Sequence, residues 1–176
     1  IFADVDENGN LSIEDIKKAY NKKVKAIIVV HLNGLSCDLD PIMKFVKKNK
    51  IFLIEDCSQA HGAVYKGKKV GSFGDISTWS FCQDKIISTG GEGGMISTNN
   101  KQLWLKCWSL KDHGKNYNSV FFKKHKIGFR WHHHNFGSNY RMTEMQAILG
   151  RAQLKTLDNQ VKKRNTIANL YLNGLK

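Results

Sequence analysis

The chain has 176 residues, a hydrophobic fraction of 41% and a formal net charge of +13, enough material for one well-cored domain of an ordinary globular protein. No apolar run approaches the ~20 residues that a membrane span needs, and the four cysteines, Cys37, Cys57, Cys82 and Cys107, contain no C-x-x-C pair. That scatter argues against a zinc site or a disulfide framework and for a reducing cytoplasm. The basic residues are nearly all Lys, only four being Arg, and they are spread along the chain. Lys17, Lys18, Lys22 and Lys23 sit at helix-surface spacing, as do Lys44, Lys47 and Lys48. No nucleic-acid reader motif accompanies them, so they read as solvated helix faces, and nucleic acid is not expected as a partner. A phosphate-bearing small substrate suits the same field.

In chain order, residues 1–5 are predicted as a short strand, followed by a turn at Asp6-Glu7-Asn8-Gly9-Asn10. Ser12 is the expected N-cap of a helix over 13–21, with Asp15 completing an imperfect capping box. Residues 26–30, the longest apolar stretch, form a buried strand. Pro41 belongs in the first turn of a helix ending near 48, with Asp40 as its N-cap. Residues 51–54 make the next buried strand, ending in Glu55-Asp56. This βαβ spacing predicts an α/β fold, a mostly parallel sheet with helices on both faces. A glycine-rich stretch over 62–94 is interrupted by a strand over 76–81, and 104–110 is helical. Residues 112–137 are polar and aromatic without periodicity and read as one long loop. Thr143 caps a helix from 144 to about 157, in which Ala147, Leu149 and Gly150 supply a close-packing face, and 161–172 form a last helix.

Two patterns invite metal readings. Asp4, Asp6, Asn8, Gly9, Asn10, Ser12 and Asp15 fit most of the EF-hand template. However, position twelve is Asp rather than Glu, and no entering helix precedes the loop. His132-His133-His134 are adjacent, so their side chains diverge, and no carboxylate lies close in sequence. No metal site is assigned. His31 reads as a satisfied buried histidine rather than a catalyst.

The chemistry is concentrated in three pieces. Asp56 ends a buried strand, where open α/β sheets place ligands. Ser80-Phe81 leads to Lys85 at the end of another, and Thr89-Gly90-Gly91-Glu92-Gly93-Gly94 follows. A pyridoxal-phosphate site needs such parts: an amine to form a Schiff base, a carboxylate to keep the pyridine nitrogen protonated, and hydroxyl or backbone donors for the phosphate. Taken singly, Asp56 also suits a helix N-cap, Ser80 a plain strand residue and Asn139 a turn.

The segments 54–63, 73–75 and 80–94, with Val30-His31-Leu32-Asn33-Gly34 and Asn139-Tyr140-Arg141-Met142-Thr143-Glu144-Met145-Gln146-Ala147, together resemble the DegT/StrS family of nucleotide-sugar aminotransferases. The resemblance covers essentially the whole chain and implies the large domain of a fold type I pyridoxal-phosphate enzyme. It makes Lys85 the residue that holds the cofactor and then shuttles a proton. Asp56 becomes the partner of the pyridine nitrogen, Gln59 lies against the ring and its phenolic oxygen, and Ser80 binds the phosphate. Asn139 reaches the phosphate in a neighbouring subunit, which implies a homodimer with shared sites. His61-Gly62 and the glycine loop shape the pocket floor. Cys82 stands where many relatives carry His or an aromatic residue, and the loop over 111–136 is expected to meet the sugar nucleotide. Lys85 argues against the sugar dehydratases of the family, which carry histidine there.

The implied reaction is transfer of an amino group from an amino acid, L-glutamate by resemblance, to a nucleotide-linked keto-sugar in cell-surface polysaccharide or amino-sugar biosynthesis. Residues 1–176 are then a partial cofactor-binding domain, with the Gly-Thr phosphate turn and the small C-terminal domain outside it. The alternatives are an inactive or split fragment that needs a partner chain, and a calcium-binding module.

Overall fold

The computed structural model describes residues 1–125, 127–128 and 133–175. Seven-residue α1 (Ile13–Ala19) starts at Ser12, whose side chain accepts from Asp15 N. β1 (Ala26–Val30), α2 (Leu39–Asn49) and β2 (Phe52–Asp56) follow, then two-residue β3 (Val64–Tyr65) and β4 (Lys68–Lys69), β5 (Ile76–Ser80) and β6 (Gly94–Ser97). α3 (Lys101–Lys111), α4 (Tyr117–Phe122), α5 (Glu144–Leu154) and α6 (Leu157–Gly174) complete the chain. No described helix is long and apolar enough to cross a membrane.

The main sheet has the order β1-β2-β5-β6. β1 and β5 flank β2 in parallel, while β6 runs antiparallel to β5, so the sheet is mostly parallel as expected. Side chains alternate across a strand, and the register places Ile27, Val29 and Leu53 on one face. There they pack with Ile16, Cys37, Leu39, Ile42 and Val46 of the intervening helices and loop to form the main core. On the other face Ile28 is 59% and Val30 40% exposed. β1 and β2 are therefore buried on one side among the described residues, where the βαβ spacing suggested helices on both faces.

Several elements differ from expectation. Residues 1–5 form no strand, only an isolated bridge from Val5 to Leu11. α2 is capped by Asp38, not Asp40: Asp38 makes no side-chain cap bond, and Tyr65 Oη instead accepts from Asp40 N at 3.2 Å while donating to Asp38 at 2.5 Å. The small hairpin β3–β4 thus serves as the helix cap, a contact made across 25 residues. The long loop contains α4, which Asn116 caps by accepting from Ser119 N. Tyr117 packs edge-on to Trp104 and Trp108, with centroids 4.9 and 5.0 Å away, and that docking stabilises a helix too short to persist alone.

The acidic turn is occupied by its own structure. Asp6 Oδ1 accepts from Asn8 N and Asn10 N. The buried Asn10 faces inward, donating to Leu35 O and accepting from Leu32 N, both at 3.1 Å. Asp15 is engaged by Lys18. Asn10 ties the turn to the segment after β1 instead of presenting an oxygen to a calcium ion. Of the three adjacent histidines, His132 lies outside the described residues.

Candidate active site

The carboxyl ends of β2 and β5 define the site. Asp56 and Thr78 are register partners, and Ser80 lies two residues on, so all three share one sheet face. Asp56 Oδ1 accepts from Ser58 N at 2.9 Å, which turns the chain out of the strand. Ser58 and Gln59 then line a cleft of about 780 Å³ together with His61, Lys85 and, from α6, Arg164 and Asn165. That volume is in the range of small-molecule sites. Gln59 Oε1 accepts from Asn33 N at 2.8 Å, so the amide nitrogen is the end available as a donor.

Lys85 is held by a tight turn in which its N–H donates to Cys82 O at 3.1 Å, while Phe81 N donates to Gly93 O at 2.8 Å. Its side chain is 19% exposed, with Nζ 3.5 Å from Asp84 Oδ1. The glycine loop folds back on this turn: Thr89 N donates to Phe81 O, and Thr89 Oγ1 to Glu92 O. α5 braces it from outside. A Cβ on Gly150 stands 2.9 Å from Thr89 Cγ2, which explains the small residue in that helix face. Gln146 donates to Glu92 O, and Gln153 accepts from Ser88 N, both at 2.9 Å.

His61 is 7% exposed, with its ring between those of Trp79 and Phe81. Burial pushes its ionisation downward, the Lys85 charge adds to this, and the Ser80 carbonyl opposes it. Its Nε2 is buried without a protein partner among the described residues, an open acceptor or donor position in the wall of the site.

Behind the site lies a second cluster. Glu55 is fully buried and accepts four bonds: His31 Nε2 at 3.1 Å and Gly71 N at 2.7 Å on Oε2, Phe73 N at 2.8 Å and Gly74 N at 2.6 Å on Oε1. Burial pushes the Glu55 carboxyl up, but His31 and the three N–H groups outweigh it and hold the carboxyl below its ordinary value. His31 Nδ1 accepts from Cys37 N at 3.2 Å, so the ring proton sits on Nε2 and faces Glu55. His31 is thus a satisfied structural histidine, as expected. One carboxylate here joins the tips of β1 and β2 to the 71–74 loop that launches β5.

With Cys57, His31 and Glu55 form the group of potential metal ligands found among the described residues. Both ring nitrogens and both carboxylate oxygens are already engaged, and burial pushes the Cys57 thiol up to about 12.

The structure therefore brings Gln59 and Lys85 into one cleft and sets Asp56 and Ser80 at the adjoining strand tips. Asn139 lies elsewhere: it is exposed, bridges to Asp112, and accepts from Arg141 Nε at 3.0 Å. Sequence reasoning missed Asp84 and the α6 residues Arg164 and Asn165, and it noted Glu55 only as a strand end. An acidic residue in core register between Leu53 and Cys57 was the available signal for Glu55. The donor set fits pyridoxal phosphate: a primary amine in the cleft, a carboxylate at one neighbouring strand tip, a hydroxyl at the other, and in the cleft lining an imidazole nitrogen with no partner among the described residues.

Comparison with known proteins agrees. The GDP-perosamine synthase of Escherichia coli O157:H7 is 42% identical over 172 residues, 97% of this chain and 44% of that protein. The solved aminotransferase from Psychrobacter cryohalolentis is 56% identical with a TM-score of 0.86, covering 90% of this chain and 40% of its own. Helicobacter pylori PseC, an aminotransferase of pseudaminic acid biosynthesis, is 32% identical with a TM-score of 0.87, covering 97% and 44%. The chain thus spans less than half the length of these relatives. Residues 1–176 match the DegT/DnrJ/EryC1/StrS aminotransferase family, a family of pyridoxal-phosphate enzymes, and the chain belongs to it.

Proposed function

We propose that this chain is the cofactor-binding part of an enzyme that transfers an amino group from an amino acid, L-glutamate by family resemblance, to a nucleotide-linked keto-sugar. The observation that carries the reading is a lysine amine and a glutamine amide sharing one cleft at the tips of parallel strands, directly beyond a strand-terminal carboxylate. Pyridoxal phosphate supplies an aldehyde that condenses with amines and a cationic ring that draws electrons from the carbon being deprotonated. Lys85 Nζ would anchor the cofactor and, as a free amine in the cleft, would carry the proton taken from the donor Cα. Asp56 keeps the ring nitrogen protonated, Gln59 orients the ring, and Ser80 donates to the phosphate. Asn139, outside its own chain's cleft, serves a neighbouring subunit in a cytoplasmic homodimer. A route to cell-surface polysaccharide is supported by the Bacillus subtilis relative named as a spore coat polysaccharide biosynthesis protein, 35% identical over 175 residues.

Addition of pyridoxal phosphate to purified protein is expected to give a visible absorbance band that borohydride bleaches, leaving the label on the Lys85 peptide. Lys85→Ala removes both band and label. An undiminished band in that variant would refute the assignment.

A further inference from the structure

We propose that Asp84 is a positioning residue for Lys85: its carboxylate, oriented by the Cys82 thiol, restrains the amine at the cleft wall and sets how fast it reaches a reacting carbon. The geometry rests on a single oxygen. Asp84 Oδ1 accepts from Cys82 Sγ at 2.6 Å and lies 3.5 Å from Lys85 Nζ. The turn from Cys82 to Lys85, closed by the Lys85 N–H to Cys82 O bond, brings the three side chains together. The Cys82 thiol, and after it the Lys85 charge, hold the Asp84 carboxyl below its ordinary value. Among the described residues lining the cleft, Asp84 is the one carboxylate, and the cations Lys69, Lys85 and Arg164 line the same cleft; of these, Lys85 pairs with Asp84 and Lys69 with Asp158. The Asp84 side chain is 70% exposed against 19% for Lys85, so the pair opens from the solvent side without disturbing the core. Cys82 acquires a purpose here: its thiol fixes the carboxylate that lies beside the amine.

Resting on the aminotransferase reading only in taking Lys85 as the reacting amine, the proposal is testable without cofactor. Purified protein is treated at fixed pH with a hydroxysuccinimide acetate. The amine nitrogen bonds the acyl carbon, hydroxysuccinimide leaves, and one proton is released. Peptide mass spectrometry gives the rate at Lys85 relative to exposed Lys22. Asp84→Asn is expected to raise that ratio about two- to fivefold, the range of partly exposed ion pairs. Asp84→Glu restores the wild-type ratio, Cys82→Ala gives a smaller increase, and salt raises the wild-type ratio but not that of Asp84→Asn. An unchanged ratio in Asp84→Asn with unaltered thermal unfolding overturns the proposal. A second arm follows the visible band after adding pyridoxal phosphate. Faster acylation with no band in any variant sustains the role of Asp84 and sinks the aminotransferase reading; a normal band with unchanged acylation does the reverse.

Discussion

Glu55→Gln isolates the buried link between β1, β2 and the loop before β5. The carboxylate accepts four bonds from four N–H donors, and an amide has one oxygen. With its nitrogen toward His31 and Gly71, it meets two hydrogens; turned over, it meets those of Phe73 and Gly74. His31 cannot relieve this by moving its proton to Nδ1, because Cys37 N–H already points there. Two charge-assisted bonds are therefore lost in either orientation, at about 1.5–3 kcal/mol each, for a loss of about 3–6 kcal/mol. Urea unfolding followed by tryptophan fluorescence reads this directly, as a fall of more than about 1 M in the midpoint at the slopes usual for small proteins. A loss below about 1 kcal/mol would show that the four contacts do not act as a carboxylate latch.

The same group predicts an acid response. Glu55 is held below its ordinary value of 4.5 in the fold, so its stabilisation is complete above that value and is lost as pH falls through the lower folded one. The stability gap between wild type and Glu55→Gln should narrow below about pH 4.5, and a gap that stays constant in acid contradicts the linkage. Gly71→Ala places a Cβ against the Trp79 ring on a backbone with φ of +81° and should cost about 1–3 kcal/mol in the same assay. Thr143→Ala removes half of the capping box with Gln146. It should lower stability by about 0.5–2 kcal/mol, and an unchanged urea midpoint would show that α5 does not need it.

Local signals were legible where both partners lie within one turn. Thr143 and Gln146 are three residues apart, as are Ser12 and Asp15, and both helix starts appear where the side chains place them. The apolar run over 26–30 marked β1 for a similar reason, since β-branched residues in sequence suit a pleated surface. Lys85 with its glycine loop, and Gln59 three residues after Asp56, were singled out through the family resemblance, and the structure places Gln59 and Lys85 along one cleft.

Tertiary structure decided the rest. β6 was hidden in a glycine-rich stretch because its identity as a strand comes from pairing with β5, some 20 residues away. The cap of α2 moved to Asp38 because a tyrosine from the hairpin reaches the helix start. The Glu55 latch draws partners from 16 to 24 residues distant, and α6 contributes to the cleft from farther still. A sequence writes down which groups are available and which torsions its neighbours favour. Which distant donor satisfies a buried carboxylate, or which cation faces Asp84, is settled only when packing brings the strand tips together and water is excluded.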